Sequence, residues 1–166
     1  MTMLEAMDAL MLMNTAGSGD ALSEISAQLT EVLNRARVAD GVVAYLCAPA
    51  PEAGAGSGAD ADSPAGGLGQ TEDDLALSSE VADAFDGIDD LAAGLHDLAI
   101  DRLIIGGIDV DRSVYHTAMA GLACNFDVVV LKDGVIAADG QPVDWAETAA
   151  GDGAVLSDAA QTWLRM

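Results

Sequence analysis

The chain is poor in cations. Six of its 166 residues are Lys or Arg against 28 Asp and Glu, and Lys132 is the single lysine. A formal net charge of −22 repels nucleic acid and anionic membrane surfaces, so neither is expected as a partner. Cysteine is scarce too. Cys47 and Cys124 are too few and too far apart for a disulfide framework or a zinc knuckle. Both fall in apolar stretches and read as buried thiols. No apolar run reaches the ~18 residues of a membrane span, and no basic segment precedes an apolar one at the N-terminus. A cytoplasmic protein is expected.

Apolar residues are plentiful, at 51% of the chain, which excludes disorder as a whole. The length suits one domain over residues 1–166 with one substantial core. The acidic surplus is mostly Asp in an Ala- and Gly-rich background. That composition resembles proteins of halophilic archaea, in which salt screens the self-repulsion. The surplus therefore reads as surface solvation, rather than as a site for basic partners or metal ions.

DALMLM (8–13) stops at turn-forming NTAGSGD and reads as a buried strand. ALSEISAQLTEVLNRARV (21–38) places Leu22, Ile25, Leu29, Val32 and Leu33 at helical spacing. GVVAYLC (41–47) suits a parallel strand covered on both faces. Residues 48–70 are Pro, Gly, Ala, Ser and Asp with little to bury, and read as a flexible loop. LALSS (75–79) is a weak strand. GIDDLAAGLHDLAI (87–100) reads as a helix with Leu91, Leu95 and Leu98 on one face, and RLIIGGI (102–108) as a strong strand. SVYHTAMAGLACN (113–125) is predicted to be a helix stopped at Asn125, which tolerates the left-handed conformation. FDVVVLKDG (126–134) reads as a strand ending in a turn. QPVDWAE then reads as loop, followed by a short strand and a terminal helix capped by Ser157. This repeated βα order implies an α/β fold of three layers, a doubly wound and mainly parallel sheet with helices on both faces. Its ligand crevice lies at the carboxyl ends of the strands, which are Asn14, the loop after Cys47, Ser79, the 109–113 loop and Asp133.

Together these segments resemble the isochorismatase-like cysteine hydrolase superfamily, which includes nicotinamidases and N-carbamoyl amide hydrolases. ALMLMNTA (9–16) is similar to the family's opening ALLVIDMQ, and LNRARVADGVVAYL (33–46) to its next helix and strand. GIDVDRSVYHTAMAGLACNFDVVVLKDG (107–134) matches, without a gap, a block resembling GIATDVCVxxTAxDAxxxGYxVxVVxDA, including Thr117, Ala118 and Asp133. The resemblance implies a six-stranded parallel sheet of order 3-2-1-4-5-6. It also implies a catalytic Asp, Lys and Cys at the strand ends, the Cys at a helix N-terminus where dipole and Lys favour thiolate.

Carried over, the Asp position falls on Asn14 and the Cys position on Ser113. Counting back from Phe85 puts the Lys position at Ser79, and no lysine precedes Lys132. All three roles are vacant, so a protein that has lost the cysteine-hydrolase chemistry is expected, retaining a structural, oligomeric or small-molecule-binding role. The alternative is a hydrolase of a small amide or related substrate, with Ser113 as nucleophile and His116 or Asp111 as base. His116 lies three residues along the same helix, and Asp109 or Asp111 would orient its ring. Otherwise Ser113 is a first-turn or N-cap hydroxyl satisfying a backbone N–H, with acids nearby that suit a helix start. Nicotinamidase-type relatives hold a metal with an Asp and two His in the long loop, but 48–70 contains no His. No metal and no cofactor is expected. Self-association into a homo-oligomer is expected from the resemblance.

Overall fold

The computed structural model describes residues 7–14, 20–39, 42–47, 75–79, 81, 83–88, 90–109, 112–137, 141 and 143–158. The strands are β1 (Met7–Met13), β2 (Val42–Cys47), β3 (Leu75–Ser78), β4 (Ile100–Asp109), β5 (Asp127–Ala137) and β6 (Val155–Ser157). The helices are α1 (Asp20–Ala39), α2 (Ala84–Gly87), α3 (Leu91–Asp97), α4 (Ser113–Ala123) and α5 (Ala146–Gly151). All strand pairs are parallel, and the sheet runs β3-β2-β1-β4-β5-β6, the order expected from the resemblance.

Side chains alternate across the sheet because successive residues of a strand point to opposite faces. Ala9, Met11, Met13, Leu103, Ile105, Val128 and Val130 face one core, while Leu10, Leu12, Ile104, Val129 and Leu131 face the other. Both faces are covered, so continuous apolar runs were the right signal for these strands. On the second face α1 lays down Ile25, Leu29, Val32, Leu33 and Ala36 as one buried stripe. Burying each of the larger ones contributes roughly 1.5–3 kcal/mol. The first face is covered by α2–α5. Leu22 lies in α1, though its side chain is outside the described residues, as are the 48–70 loop and the terminal helix; Ser157, expected as that helix's cap, is the last residue of β6.

Several boundaries differ from the sequence reading. The helix expected over 87–100 is shorter, with Gly87 ending a separate helix and Ile100 already opening β4. A short α2, capped by the Asp83 carboxylate through Phe85 N at 2.9 Å, closes at Gly87, and α3 starts only at Leu91. Leu98 is 46% exposed because α3 ends at Asp97 and the chain turns through Ala99 at φ 63°. β5 does not end at the turn-like Lys132–Asp133–Gly134. Ile105 pairs with Val130 but Gly107 with Val135, so these residues bulge from the ladder and the strand resumes to Ala137. Asp133 therefore stands within a strand rather than at its carboxyl end. QPVDWAE is partly helical, running into α5. Cys124 is a half-buried free thiol.

Asn125 stops α4 as expected, at φ 72°. Its N–H donates to Leu122 O at 3.1 Å and Phe126 N–H donates to Gly121 O at 3.0 Å, the two bonds of a Schellman ending. At the amino end of the sheet, fully buried Asp8 receives both arms of Arg102, Nε to Oδ1 at 3.1 Å and Nη2 to Oδ2 at 2.5 Å. This bidentate pairing is what lets an acid stand in an otherwise apolar strand.

Candidate functional site

At the carboxyl edge β1 and β4 press together. Gly107 has φ +131°, and a Cβ there would collide with the backbone of Met13, 2.7 Å from its nitrogen and 2.8 Å from its carbonyl carbon. Only glycine permits this approach. It sets the end of β1 directly beside the β4–α4 connection. Asn14 follows in the left-handed region at φ 59°, which asparagine tolerates. Its backbone N–H donates to Leu46 O on β2 at 2.6 Å.

The Asn14 amide nitrogen donates to Ile108 O at 2.9 Å and to Ser113 Oγ at 3.1 Å. A backbone carbonyl can only accept, so the nitrogen must face Ile108, and the assignment of the amide is fixed by its partner. The structure thus joins two of the three positions singled out in the sequence. Asn14 ties β1 to β4 and to the first residue of α4.

Ser79 belongs to a separate arrangement. It is fully buried, donates to Val81 O at 2.6 Å and accepts from Val81 N at 3.2 Å. Its side chain packs onto Gly87, where a Cβ would collide with Ser79 Oγ. The neighbouring α2 is anchored to α4 by buried Thr117, whose Oγ1 accepts from Ala84 N at 3.1 Å. The Ser79 hydroxyl, expected at the lysine position, closes its own turn.

Ser113 is fully buried and is the first residue of α4, not its cap. The capping position is Arg112, in the left-handed region with no side-chain cap. The terminus is satisfied from across the connection instead. Asp109 Oδ1 accepts from Val114 N at 3.0 Å, and Asp109 Oδ2 accepts from Trp145 Nε1 at 2.7 Å. Asp109 is 7% exposed and Trp145 3%. The Trp145 ring lies 5.4 Å from Tyr115, which holds the indole over the start of α4.

Of the expected catalytic partners of Ser113, His116 is not brought to it. His116 is exposed, with its ring 5.6 Å from that of Tyr115, whereas Ser113 points into the protein. Three residues along a helix is a sixth of a turn short of full registration, and here burial separates the two. Among the described residues no imidazole or carboxylate is hydrogen-bonded to Ser113 Oγ. Asp109 is not hydrogen-bonded to His116; its oxygens accept from Val114 N and Trp145 Nε1. Asp111 lies outside the described residues. Trp145 was missed because QPVDWAE reads as loop; its signal was a large indole in an acidic segment, needing a partner for its N–H once buried.

A metal of the nicotinamidase type does not fit these histidines. The chain has two. His96 sits on α3, its Nε2 3.1 Å from Cys124 O and its ring stacked 4.2 Å from Phe126, while His116 is on α4. Among the described residues no three His, Cys, Asp or Glu side chains gather to hold an ion. Nor, among them, is any helix long and apolar enough to cross a membrane.

A doubly wound parallel sheet with its polar cluster at the carboxyl edge defines a class, and the family model for the isochorismatase domain matches residues 11–161. The chain belongs to the isochorismatase family. It is similar in structure to N-carbamoylsarcosine amidase from Thermoplasma acidophilum, with TM-score 0.74 and 18% identity over 93% of this chain and 98% of that one. An isochorismatase family protein from Burkholderia thailandensis gives 0.71 and 22% over 95% and 94%. The nicotinamidase of Staphylococcus aureus gives 0.68 and 17% over 92% and 100%. At these identities the likeness speaks for the fold. No curated protein sequence matches the chain.

Proposed function

We propose that this isochorismatase-family protein lacks cysteine-hydrolase activity and keeps the fold for another role, in self-association or in binding a small neutral molecule. The observation that carries this reading is the Asn14–Ser113 hydrogen bond. An amide is not a base, so Asn14 holds this oxygen by donating to it but cannot take its proton. A helix N-terminus favours an anion by only about 0.3–1 kcal/mol, or about 2 when partly buried. Since one pKa step corresponds to about 1.4 kcal/mol, the dipole leaves a serine hydroxyl un-ionised. Nucleophilic attack would need an adjacent base. The net charge of −22 also supports partners other than nucleic acid or anionic membranes.

The test is hydrolysis of nicotinamide, N-carbamoylsarcosine and simple amides by the purified protein, beside Ser113→Ala. Both proteins are expected to match the blank. Turnover that vanishes with the Ser113 hydroxyl, or time-dependent acylation of Ser113 by an electrophilic probe, refutes the reading and establishes the serine hydrolase. Sedimentation of the wild type tests self-association, and a monomer at all concentrations removes that role.

A further inference from the structure

We infer that Asp109 is an internal block on anion chemistry at position 113: a fixed carboxylate that holds the α4 amide which a thiolate or oxyanion there would use. The inference rests on reading this site as an inert cysteine-hydrolase centre, and it adds a fourth change to the three vacant catalytic roles.

The second backbone N–H of α4, on Val114, is among the unpaired donors that make a helix start attractive to anions. It is already taken by Asp109 Oδ1 at 3.0 Å. The other oxygen is held by Trp145 Nε1 at 2.7 Å, so the carboxylate cannot swing aside without leaving a buried indole N–H unpaired. The family block quoted above has Ala where this chain has Asp109, and an alanine brings no charge to the helix start. An anion at buried position 113 would stand at the same helix start as the buried Asp109 carboxylate, and like charges sharing a site disfavour each other. A neutral hydroxyl does not conflict with the carboxylate, and Ser113 and Asp109 are therefore a matched pair. The charged groups at this end of α4 are turned to solvent. Arg112 is 58% exposed at its side chain and pairs with Asp144 at 3.6 Å, and His116 is exposed.

The consequence is that restoring a cysteine at 113 does not restore a thiolate. In a background with Cys47 and Cys124 replaced by Ala, three proteins are compared: S113C, S113C/W145F, and S113C/W145F/D109N. Phenylalanine at 145 removes the donor that would otherwise face an asparagine amide. Thiolate is followed by its absorbance at 240 nm against pH, which needs no reagent access to the buried sulfur, with the matching Ser113 protein as blank. With Asp109 present, the thiol is expected to titrate above the free value of about 8.5. With D109N in place, the thiolate fraction at pH 7 is expected to rise at least about tenfold. An equal titration with and without the Asp109 charge overturns the inference. So does a midpoint below about 7.5 in S113C itself, where the free thiol value is about 8.5. If circular dichroism shows the D109N protein unfolded, Asp109→Ser keeps an oxygen acceptor without the charge, and the same two outcomes decide. Amide turnover by the wild type would sink the proposed function without touching this titration. An unchanged titration would sink the block and leave the absence of turnover standing.

Discussion

Truncating Asp109 to alanine tests how far the start of α4 depends on one side chain. Losing the cap on Val114 N costs about 0.5–2 kcal/mol. Stranding the Trp145 indole N–H, at 3% exposure, adds the desolvation of a buried donor, about 1–3 kcal/mol. The sum, about 2–5 kcal/mol, is a large part of the ~5–15 kcal/mol that holds a typical domain together. Trp145→Phe alone should cost about 1–3 kcal/mol, because a buried carboxylate oxygen loses its donor. The double variant removes both ends of that bond, and should be milder than the sum of the singles by about 1–3 kcal/mol. Urea unfolding followed by far-ultraviolet circular dichroism at one fixed salt concentration measures all four proteins; tryptophan emission is unsuitable because two of the four lack Trp145, one of the chain's two tryptophans. Additivity within about 0.5 kcal/mol would show that the two side chains do not act as a pair, and the account of the helix start would fail.

Arg102→Ala removes both guanidinium hydrogen bonds from the buried Asp8 carboxylate and should destabilise by about 3–5 kcal/mol. Asp8→Leu with Arg102→Leu should recover most of that loss in urea midpoints, and a double variant no better than the single contradicts the pairing. Asn14→Asp restores the family's residue type but sets a carboxylate oxygen against Ile108 O. The expected loss is about 1–3 kcal/mol at pH 7, and an unchanged melting temperature would show that the amide's two donations do not matter. Gly107→Ala meets both a forbidden backbone conformation and the Met13 backbone. It should cost about 3 kcal/mol or more, and a soluble variant with wild-type unfolding would refute the close approach of β1 and β4.

The sheet was legible because its signals are strong and local. β1, β2, β4 and β5 are apolar runs needing cover on both faces, and the α1 stripe has clean helical spacing. Asn125 stopped α4 for a stereochemical reason visible in one residue. What was not legible depends on partners distant in sequence. Lys132–Asp133–Gly134 has turn chemistry, and only its pairing with β4 reveals a bulge inside a longer strand. The short helix α2 is held by Thr117, 33 residues away, and four residues carry no periodicity to read. At the site, the positions of Asn14, Ser79 and Ser113 followed from the family block, but their bonding did not. The sequence suggested a Ser113–His116 face and a capping serine. The fold buries one residue, exposes the other, and hands the capping to Asp109, which ends β4 and whose carboxylate accepts from Val114 N.

The contact at Gly107 has a further implication for how such a site can drift over evolutionary time. Two chains touching through bare main chain leave no cushion that could absorb a change of shape. The separation between the residues following β1 and those opening α4 is therefore set by peptide geometry, not by which groups they carry. Reactive side chains can be exchanged one after another on such a frame while the frame itself stays put, so a family can shed its chemistry long before it sheds its architecture.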